Sequence, residues 1–312
     1  MLRFAMLGRH PRKLYRMTGL TLDQFQTLTA RLAPLWEHAE HVRLSQRSRQ
    51  HAIGQGRKYK LATMADKLVC VLTFYRFALT DELLGWLVGL DASTVCRLQQ
   101  RLEPLLEQAA DPTLGLSLRR RLPPGAKKIG TVEELLRVCP EFAEIITDAT
   151  EQPRRRPPRR TQRRWYSGKR KRHTIKTQIT VNKTGRILLV SDSVPGRVHD
   201  YALFKREGTA EQVPRSARHD LDRGYDGAPL DYPDHHVIVP VKRRRNHRRL
   251  TRAERRFNRL QARRRIIVEH VLSRVKKYQV LAQVYRHRIS DYNRRFRNIA
   301  ALTNFRLATM VA

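Results

Sequence analysis

The stretch Ile145-Ile146-Thr147-Asp148-Ala149-Thr150-Glu151 carries a carboxylate where a short β-branched run ends. β-branched residues fit a pleated, buried surface, so the run predicts the end of a strand that is buried on both faces. A carboxylate in that position must either ionise against a partner or bind a cation. The alternative is a turn aspartate that caps a loop. Asp148 is therefore a candidate site residue that needs support from the rest of the chain.

A belt of positive charge follows this strand. Residues 153–176 contain twelve Arg or Lys residues and no acid. The whole chain of 312 residues has a formal net charge of +36. A charge of this size implies a nucleic acid or an anionic membrane as partner. An acid at a strand end beside this belt indicates a metal-dependent site that acts on a polyanion.

Apolar segments and cysteines narrow the class of protein. No apolar run approaches the roughly 20 residues that a membrane-spanning helix needs, and the N-terminal segment 1–9 is too short for a signal peptide. These features predict a cytoplasmic protein with no membrane partner. Cys70, Cys96 and Cys139 lack the paired spacing of a zinc site or a disulfide framework. They are expected to be small buried residues.

Helical patterns fill the first third of the chain. A capping box at Thr21 predicts a helix that extends to about Trp36. Further helices are predicted over 61–77, over 80–89 and after the N-cap at Asp91. This part of the chain is therefore predicted to be all-α.

The last two of these helices match a helix-turn-helix, because a tight turn containing Gly89 joins them. Arg97 and Arg101 then lie near the start of the second helix, where side chains reach base edges or phosphates. A helical hairpin that only packs is the alternative, and the net charge favours DNA contact. Residues 1–125 are accordingly predicted to form a helical DNA-binding domain.

The pattern changes from helices to strands after residues 112–130, a segment rich in Leu, Arg, Pro and Gly. A short helix begins there at Thr131, and others are predicted around 201–206 and from a cap at Thr251. The predicted strands lie near residues 145–148, 173–181, 186–194, 219–222 and 236–241. This order predicts an α/β domain over residues 126–312.

The long helix after Thr251 carries a second isolated acid. Residues 242–277 contain sixteen Lys or Arg residues and only two acids, Glu254 and Glu269. Arg265 lies four residues before Glu269 on one side of the helix, and Lys276 lies two turns beyond it. On this spacing, Glu269 is equally well a salt-bridge partner or an acid held for chemistry.

Several short sequence motifs, taken together and in order, resemble those of the DDE transposases of bacterial insertion sequences, specifically the fifth insertion-sequence family and its relatives. The motifs are Asp-Ala-Thr-Glu at 148–151, Tyr-Ser-Gly-Lys-Arg-Lys-Arg-His-Thr at 166–174, Pro-Gly-Arg-Val-His-Asp at 195–200 and Asp-Arg-Gly-Tyr-Asp-Gly at 222–227. Arg265, Glu269 and Lys276 satisfy that group's signature of Arg, Glu and Lys. The tyrosine that often precedes this arginine by three positions is absent, because Ala262 occupies its place.

The resemblance implies a fold and an activity. The fold is a ribonuclease H-like catalytic domain with a mixed five-stranded sheet, preceded by the helix-turn-helix domain. The activity is that of a transposase, which binds the terminal inverted repeats of an insertion sequence, cuts there and joins the freed 3′ hydroxyl to target DNA. The protein would act as a homodimer or higher oligomer on DNA in the bacterial nucleoid. A non-catalytic DNA-binding regulator and a metal-dependent nuclease of the same fold are the alternatives.

The resemblance also implies the catalytic and metal-binding residues, which are Asp148, Asp222 and Glu269. Two Mg²⁺ or Mn²⁺ ions activate a water molecule and stabilise the leaving oxygen in such cleavage, and carboxylates are suitable ligands for them. Asp222 is the expected second ligand because its strand lies next to the first strand in a ribonuclease H-like sheet. The other acids considered for this role are Asp192, Asp200, Asp220 and Asp226.

Basic and aromatic residues near these acids are expected to contact DNA. The candidates are Arg97, Arg101, Trp165, Lys169, Lys171, Arg265 and Lys276. Phosphate contacts from such cations position DNA without reading its sequence. Trp165 is a candidate for stacking on an unpaired base, and packing of Trp165 on the sheet is the favoured alternative.

Overall fold

The computed structural model describes residues 1–46, 59–114, 131–243 and 249–311. The chain forms two compact units. Unit 1 comprises Met1–Gly115, Lys276–Gln283 and Arg294–Ala312, and unit 2 comprises Leu116–Val275 and Val284–Asn293. The predicted domain boundary between residues 125 and 126 lies outside the described residues.

Helices occur in both units. They are α1 (Phe4–Leu7), α2 (Pro11–Thr18), α3 (Leu22–Ser45), α4 (Met64–Phe77), α5 (Asp81–Val88), α6 (Ala92–Ala110), α7 (Val132–Val138), α8 (Gln162–Trp165), α9 (Asp200–Arg206), α10 (Ala228–Asp231), α11 (Arg252–Val275) and α12 (Tyr292–Val311). None of the described helices is both long and apolar enough to cross a membrane.

Capping side chains fix the starts of the helices in unit 1. Thr21, Thr63, Thr80 and Asp91 each accept a hydrogen bond from the backbone N–H three residues later. The helix predicted from Thr21 extends past Trp36 to Ser45. Cys70 is buried in α4, as predicted, whereas Cys96 in α6 is only half-buried.

The C-terminal part of α12 packs in unit 1, although chain order alone assigned it to the second predicted domain. The Arg295 Nε donates to Oε1 of Glu103 at 2.9 Å, and the Asn298 amide donates to the Tyr75 hydroxyl at 2.9 Å. Glu103 on α6 is fully buried. A buried carboxylate requires a cation partner, and Arg294 and Arg295 of α12 supply it.

Unit 2 contains a mixed sheet. Its strands are β1 (Glu144–Pro153), β2 (Tyr166–Ser167), β3 (Arg172–Asn182), β4 (Ile187–Val190), β5 (Val194–Pro195), β6 (Arg218–Asp220) and β7 (Val237–Ile238). The order is β2-β3-β1-β6-β7, and β4 and β5 also pair with β3. β1 and β3 are antiparallel, whereas β6 is parallel to both β1 and β7.

The prediction of five strands is wrong, because the described residues form seven. Tyr166–Ser167 adds the short strand β2. The predicted third strand is divided into β4 and β5, which both pair with β3. At the break the Ser191 hydroxyl accepts the backbone N–H of Gln178 at 2.8 Å. A side-chain hydrogen bond there replaces a bond of the ladder.

β1 is longer than predicted, and its neighbours explain where the site lies. β1 pairs with β3 as far as Pro153, five residues past Asp148. β6, by contrast, pairs with β1 only up to Ile146, which lies opposite Asp220. Asp148 and Asp222 are each two residues beyond that last parallel pair. Both aspartates therefore lie where the C-terminal end of β6 leaves the sheet.

Candidate active site

Arg265 of α11 joins the two predicted aspartates. Its Nη1 donates to Oδ1 of Asp222 at 2.7 Å, and its Nη2 lies 3.7 Å from Oδ2 of Asp148. The Arg265 side chain is only 14% exposed. Carboxylates from β1 and from the segment after β6 thus converge on one cation that is largely shielded from water.

The negative charge of the Asp148 carboxylate is only partly compensated by its neighbours. Burial raises the pKa of Asp148 to about 6, although Arg265 and the backbone N–H of Ala149 oppose the rise. The negative charges of Asp222 and Asp200 raise the pKa further. A second cation at this position would therefore be stabilised.

Glu269 lies one helical turn after Arg265 on the same side of α11, about 6 Å along the helix axis. Its side chain is exposed. In the described ranges of the chain, no group of three or more His, Cys, Asp or Glu side chains is arranged to hold a metal ion. The structure thus brings Asp148 and Asp222 together and does not gather Glu269 with them.

Asp200 lies next to the two aspartates but has its own partner. Its Oδ1 is 2.6 Å from the Lys176 Nζ, which is also 3.6 Å from Glu151. A Cβ built on Gly224 would lie 3.6 Å from Oδ2 of Asp200, so the turn after Asp222 passes close by. Lys176 is a site residue that no motif of the sequence indicated. The available signal was a lysine at an alternating strand position, opposite Glu151 of β1.

The other three acids considered for the second ligand have partners elsewhere. The pairs are Asp220 with Arg218, Asp226 with Lys242, and Asp192 with Asn293, at 3.0, 3.0 and 3.2 Å. Of the five acids considered, Asp222 is the one that shares a described cation with Asp148.

The basic segment after β1 forms a hairpin of β2 and β3 and a groove beside it. Lys169 and Lys171 are exposed in the turn. The Arg154 guanidinium lies 4.1 Å from the ring centroid of Trp165, so one face of this indole is covered. Tyr166 is 42% exposed and meets the His173 ring edge-on. An open groove there is lined by Tyr166, His173, Arg156, Arg163 and Arg197.

The remaining candidates for DNA contact lie in unit 1. Arg97 is exposed on α6 and donates to the hydroxyls of Ser93 and Thr94 at 3.2 and 3.0 Å. Arg101 is half-exposed one turn later, 3.8 Å from Glu40. Lys276 directly follows the last residue of α11.

Comparisons with known proteins agree with this arrangement. A family model described as DDE superfamily endonuclease matches residues 147–304. The probable transposase for insertion sequence element IS702 of Microchaete diplosiphon is 29% identical over 298 residues, which cover 95% of each chain. No solved structure gives a significant match.

These findings confirm the resemblance to DDE transposases of insertion sequences, and the mixed α/β architecture of unit 2 fits a ribonuclease H-like domain. The family match begins one residue before Asp148 and extends past Glu269. It spans half of the sequence, and the chain therefore belongs to the DDE superfamily of endonucleases.

Proposed function

We propose that this protein is a transposase that binds the ends of an insertion sequence and catalyses metal-dependent DNA cleavage and strand transfer. The convergence of Asp148 and Asp222 on Arg265 is the observation that carries the proposal. The net charge of +36 supports DNA as the partner. The similarity to a probable transposase supports strand transfer in addition to cleavage.

The donor atoms of the site fit a hard divalent cation such as Mg²⁺ or Mn²⁺, because such ions prefer carboxylate oxygens. Asp148 and Asp222 already share one cation, and Asp148 has an incompletely compensated charge. Glu269, one turn from Arg265, is the third proposed ligand. Two such ions, when bound, supply an activated water and stabilise the leaving oxygen.

The protein's own cations have a second task in this proposal. Arg265 holds the two aspartates in place, and its guanidinium would bind a phosphate next to the cut when these aspartates hold a metal ion. A guanidinium suits both partners, because its fork of N–H donors matches carboxylate and phosphate oxygens. Lys276, at the end of α11, is the other proposed phosphate contact of this helix.

The groove beside the β2–β3 hairpin suits a DNA strand that leaves the site. Arg156, Arg163 and Arg197 line it, and Lys169 and Lys171 extend the positive surface into the exposed turn. Because Arg154 covers one face of Trp165, base stacking on this residue is restricted to the other face. Oligomers of the protein would bring two element ends together on such surfaces.

Recognition of the element ends is proposed for α5 and α6, as a helix-turn-helix. Gly89 ends α5 with a φ of +70°, a left-handed conformation that suits glycine in a tight turn. Asp91 then caps α6. Arg97 and Arg101 lie in the first half of α6, where base edges and phosphates are within reach in a docked helix-turn-helix.

The test is a cleavage and strand-transfer assay with duplexes that carry the inverted repeats flanking the gene, in the presence of Mg²⁺. The proposal predicts end-specific cleavage followed by joining of the 3′ end to a second DNA. Binding without cleavage would instead identify a regulator. Cleavage without joining would identify a nuclease, and either result would overturn the proposal.

A further inference from the structure

Unit 1 contains a cavity that the proposed chemistry does not use. Its volume is about 290 Å³, close to the lower limit for small-molecule sites. The segment before α4 and residues of α3, α4 and α6 surround it. Aromatic and apolar side chains form its walls, namely Trp36, Tyr59, Leu61 and Leu98.

A buried ammonium group lies among these aromatic rings. Lys67 is 5% exposed, and its Nζ donates to the carbonyls of Ala62 and Thr63 at 2.9 and 3.4 Å. The Nζ lies 5.6 Å from the ring centroid of Trp36 and 5.9 Å from that of Tyr59. No carboxylate of the described segments lies within ion-pair distance of it. A buried charge of this kind is costly unless an anion compensates it.

The rim of the cavity is also positive. Arg97 and Arg101 of α6 and Lys60 line it. The carboxylate nearby is Glu40, and Arg43 binds both of its oxygens, at 2.7 and 3.0 Å. Arg101 also lies 3.8 Å from Glu40, so this single carboxylate is shared with Arg43 and compensates only part of the positive charge of the rim. A ligand that suits the cavity combines a negative charge with a flat ring.

We propose that this cavity binds one unpaired nucleotide, with its phosphate near Lys67, Arg97 and Arg101 and its base against Trp36 and Tyr59. Bases stack on aromatic rings in single-stranded nucleic-acid sites of many kinds, and cations beside the rings hold the backbone. The inference rests on the proposed function, in which α6 contacts DNA. The cavity is then next to the bound duplex, because Arg97 and Arg101 line the cavity and are also the proposed DNA contacts of α6.

The test uses the full-length protein and two duplexes that differ in one extrahelical 2-aminopurine nucleotide. Stacking of this base on aromatic rings quenches its fluorescence. The wild type is expected to quench it and to bind the bulged duplex about tenfold more tightly than the paired one. Deoxyadenosine monophosphate is added in a parallel experiment. Competition by it shows that a free nucleotide also enters, whereas its failure to compete assigns the site to DNA-linked nucleotides.

Variants locate the binding. Lys67→Met should bring the affinity ratio of the two duplexes to about one and should leave binding of the paired duplex unchanged. Arg101→Gln, a change at a half-exposed residue that is compatible with folding, should lower the ratio as well. Lys13→Met removes the same charge from the exposed face of α2 and should leave the ratio unchanged.

A wild-type ratio of one, or a ratio that neither Lys67→Met nor Arg101→Gln lowers, would overturn the inference. The cleavage assay separates this failure from failure of the proposed function. A protein that cleaves and joins ends without preferring the bulged duplex refutes only the proposal that the cavity binds a nucleotide. A protein that prefers the bulged duplex without cleaving DNA refutes the transposase alone.

Discussion

Arg265 occupies the position for which a divalent ion would compete. Its guanidinium contacts both Asp148 and Asp222, and its side chain is only 14% exposed. A cation must therefore displace Arg265 before it can bind both carboxylates. Displacement releases the guanidinium for a phosphate, so metal binding and DNA binding are expected to favour each other.

Replacing Arg265 by glutamine should strengthen Mn²⁺ binding to the DNA-free protein at pH 7.5 by roughly three- to tenfold, because the competing cation is gone. The same change should weaken binding of element ends and reduce its salt slope by about one. Calorimetry measures the first effect and titrations at several salt concentrations measure the second. Arg264→Gln is the matched control, since Arg264 pairs with Glu144 on the surface at 3.0 Å. Unchanged Mn²⁺ affinity in Arg265→Gln would contradict the competition.

The choice of Asp222 over Asp200 is tested by two isosteric changes. Asp222→Asn should abolish Mg²⁺-dependent cleavage and leave end binding within about twofold, because Asp222 shares the cation position with Asp148. Asp200→Asn should retain measurable cleavage, because its carboxylate pairs with Lys176. Gel assays of cleavage and binding on one end-containing duplex measure both. A dead Asp200→Asn protein beside an active Asp222→Asn protein would reverse the assignment.

The raised pKa of Asp148 predicts a pH dependence of stability. The folded protein holds the Asp148 proton up to about pH 6, whereas an unfolded chain releases it near pH 4. Between these values the folded state binds more protons, so its free energy of unfolding falls as pH rises and levels off above pH 6.

Asp148→Asn should remove this pH-dependent contribution to the free energy of unfolding. Relative to the wild type, its free energy of unfolding should increase by on the order of 2 kcal/mol between pH 4 and pH 7. Urea unfolding without metal ions, at both pH values, gives the difference between the two proteins. A constant difference across this range would show that the buried site does not hold the proton of Asp148.

At the scale of elements, local signals in the sequence predicted the starts of helices and the order of most strands. Thr21, Asp91 and Thr131 cap helices as expected, because a cap depends on a few adjacent residues. The ends and interruptions of the strands depend instead on pairing with neighbouring strands. The end of β1 follows from its full pairing with β3, and the split into β4 and β5 follows from a hydroxyl that replaces a ladder bond.

Local sequence patterns also predicted only part of the candidate site. The resemblance indicated Asp148 and Asp222, and the adjacency of β1 and β6 explains their proximity. The ion pair of Lys176 with Asp200 and the contact of Arg265 with both aspartates connect distant parts of the sequence. No local pattern encodes such pairs, because each charge has several possible partners in so basic a chain.

The ion pairs between α6 and α12 predict that removal of one buried charge strongly lowers the free energy of unfolding. Glu103→Gln leaves Arg295, which is 4% exposed, without its carboxylate. The free energy of unfolding should fall by about 3 kcal/mol. Asp234→Asn is the control, because its pair with Arg215 is mostly exposed and should contribute less than about 1 kcal/mol. Denaturant unfolding of the three proteins measures the effect, and similar losses in both variants would argue against a critical role for Glu103.

For the whole molecule, the composition of unit 1 determines which fragments can fold. Its core includes Phe296, Ile299 and Leu302 of α12, all essentially inaccessible to solvent. These residues are far in sequence from α5 and α6, which carry the proposed recognition surface. A fragment that ends near residue 125 lacks them and exposes the apolar faces that they cover.

A chain that ends at Asn293 should therefore lose end binding, although it keeps α5, α6 and the three catalytic candidates. Removal of the α12 core residues and of Arg294 and Arg295 leaves Glu103 buried without its cations, a loss of several kcal/mol that exceeds the reserve of most small units. Limited proteolysis should cleave within α4 to α6 in this truncated protein and spare them in the full chain. A chain that ends at Thr309 is the control, because it keeps the hydrogen bond from Gln24 to Thr309 at 2.8 Å. If the protein ending at Asn293 bound element ends with full affinity, recognition would be independent of α12, and its packing in unit 1 would be dispensable.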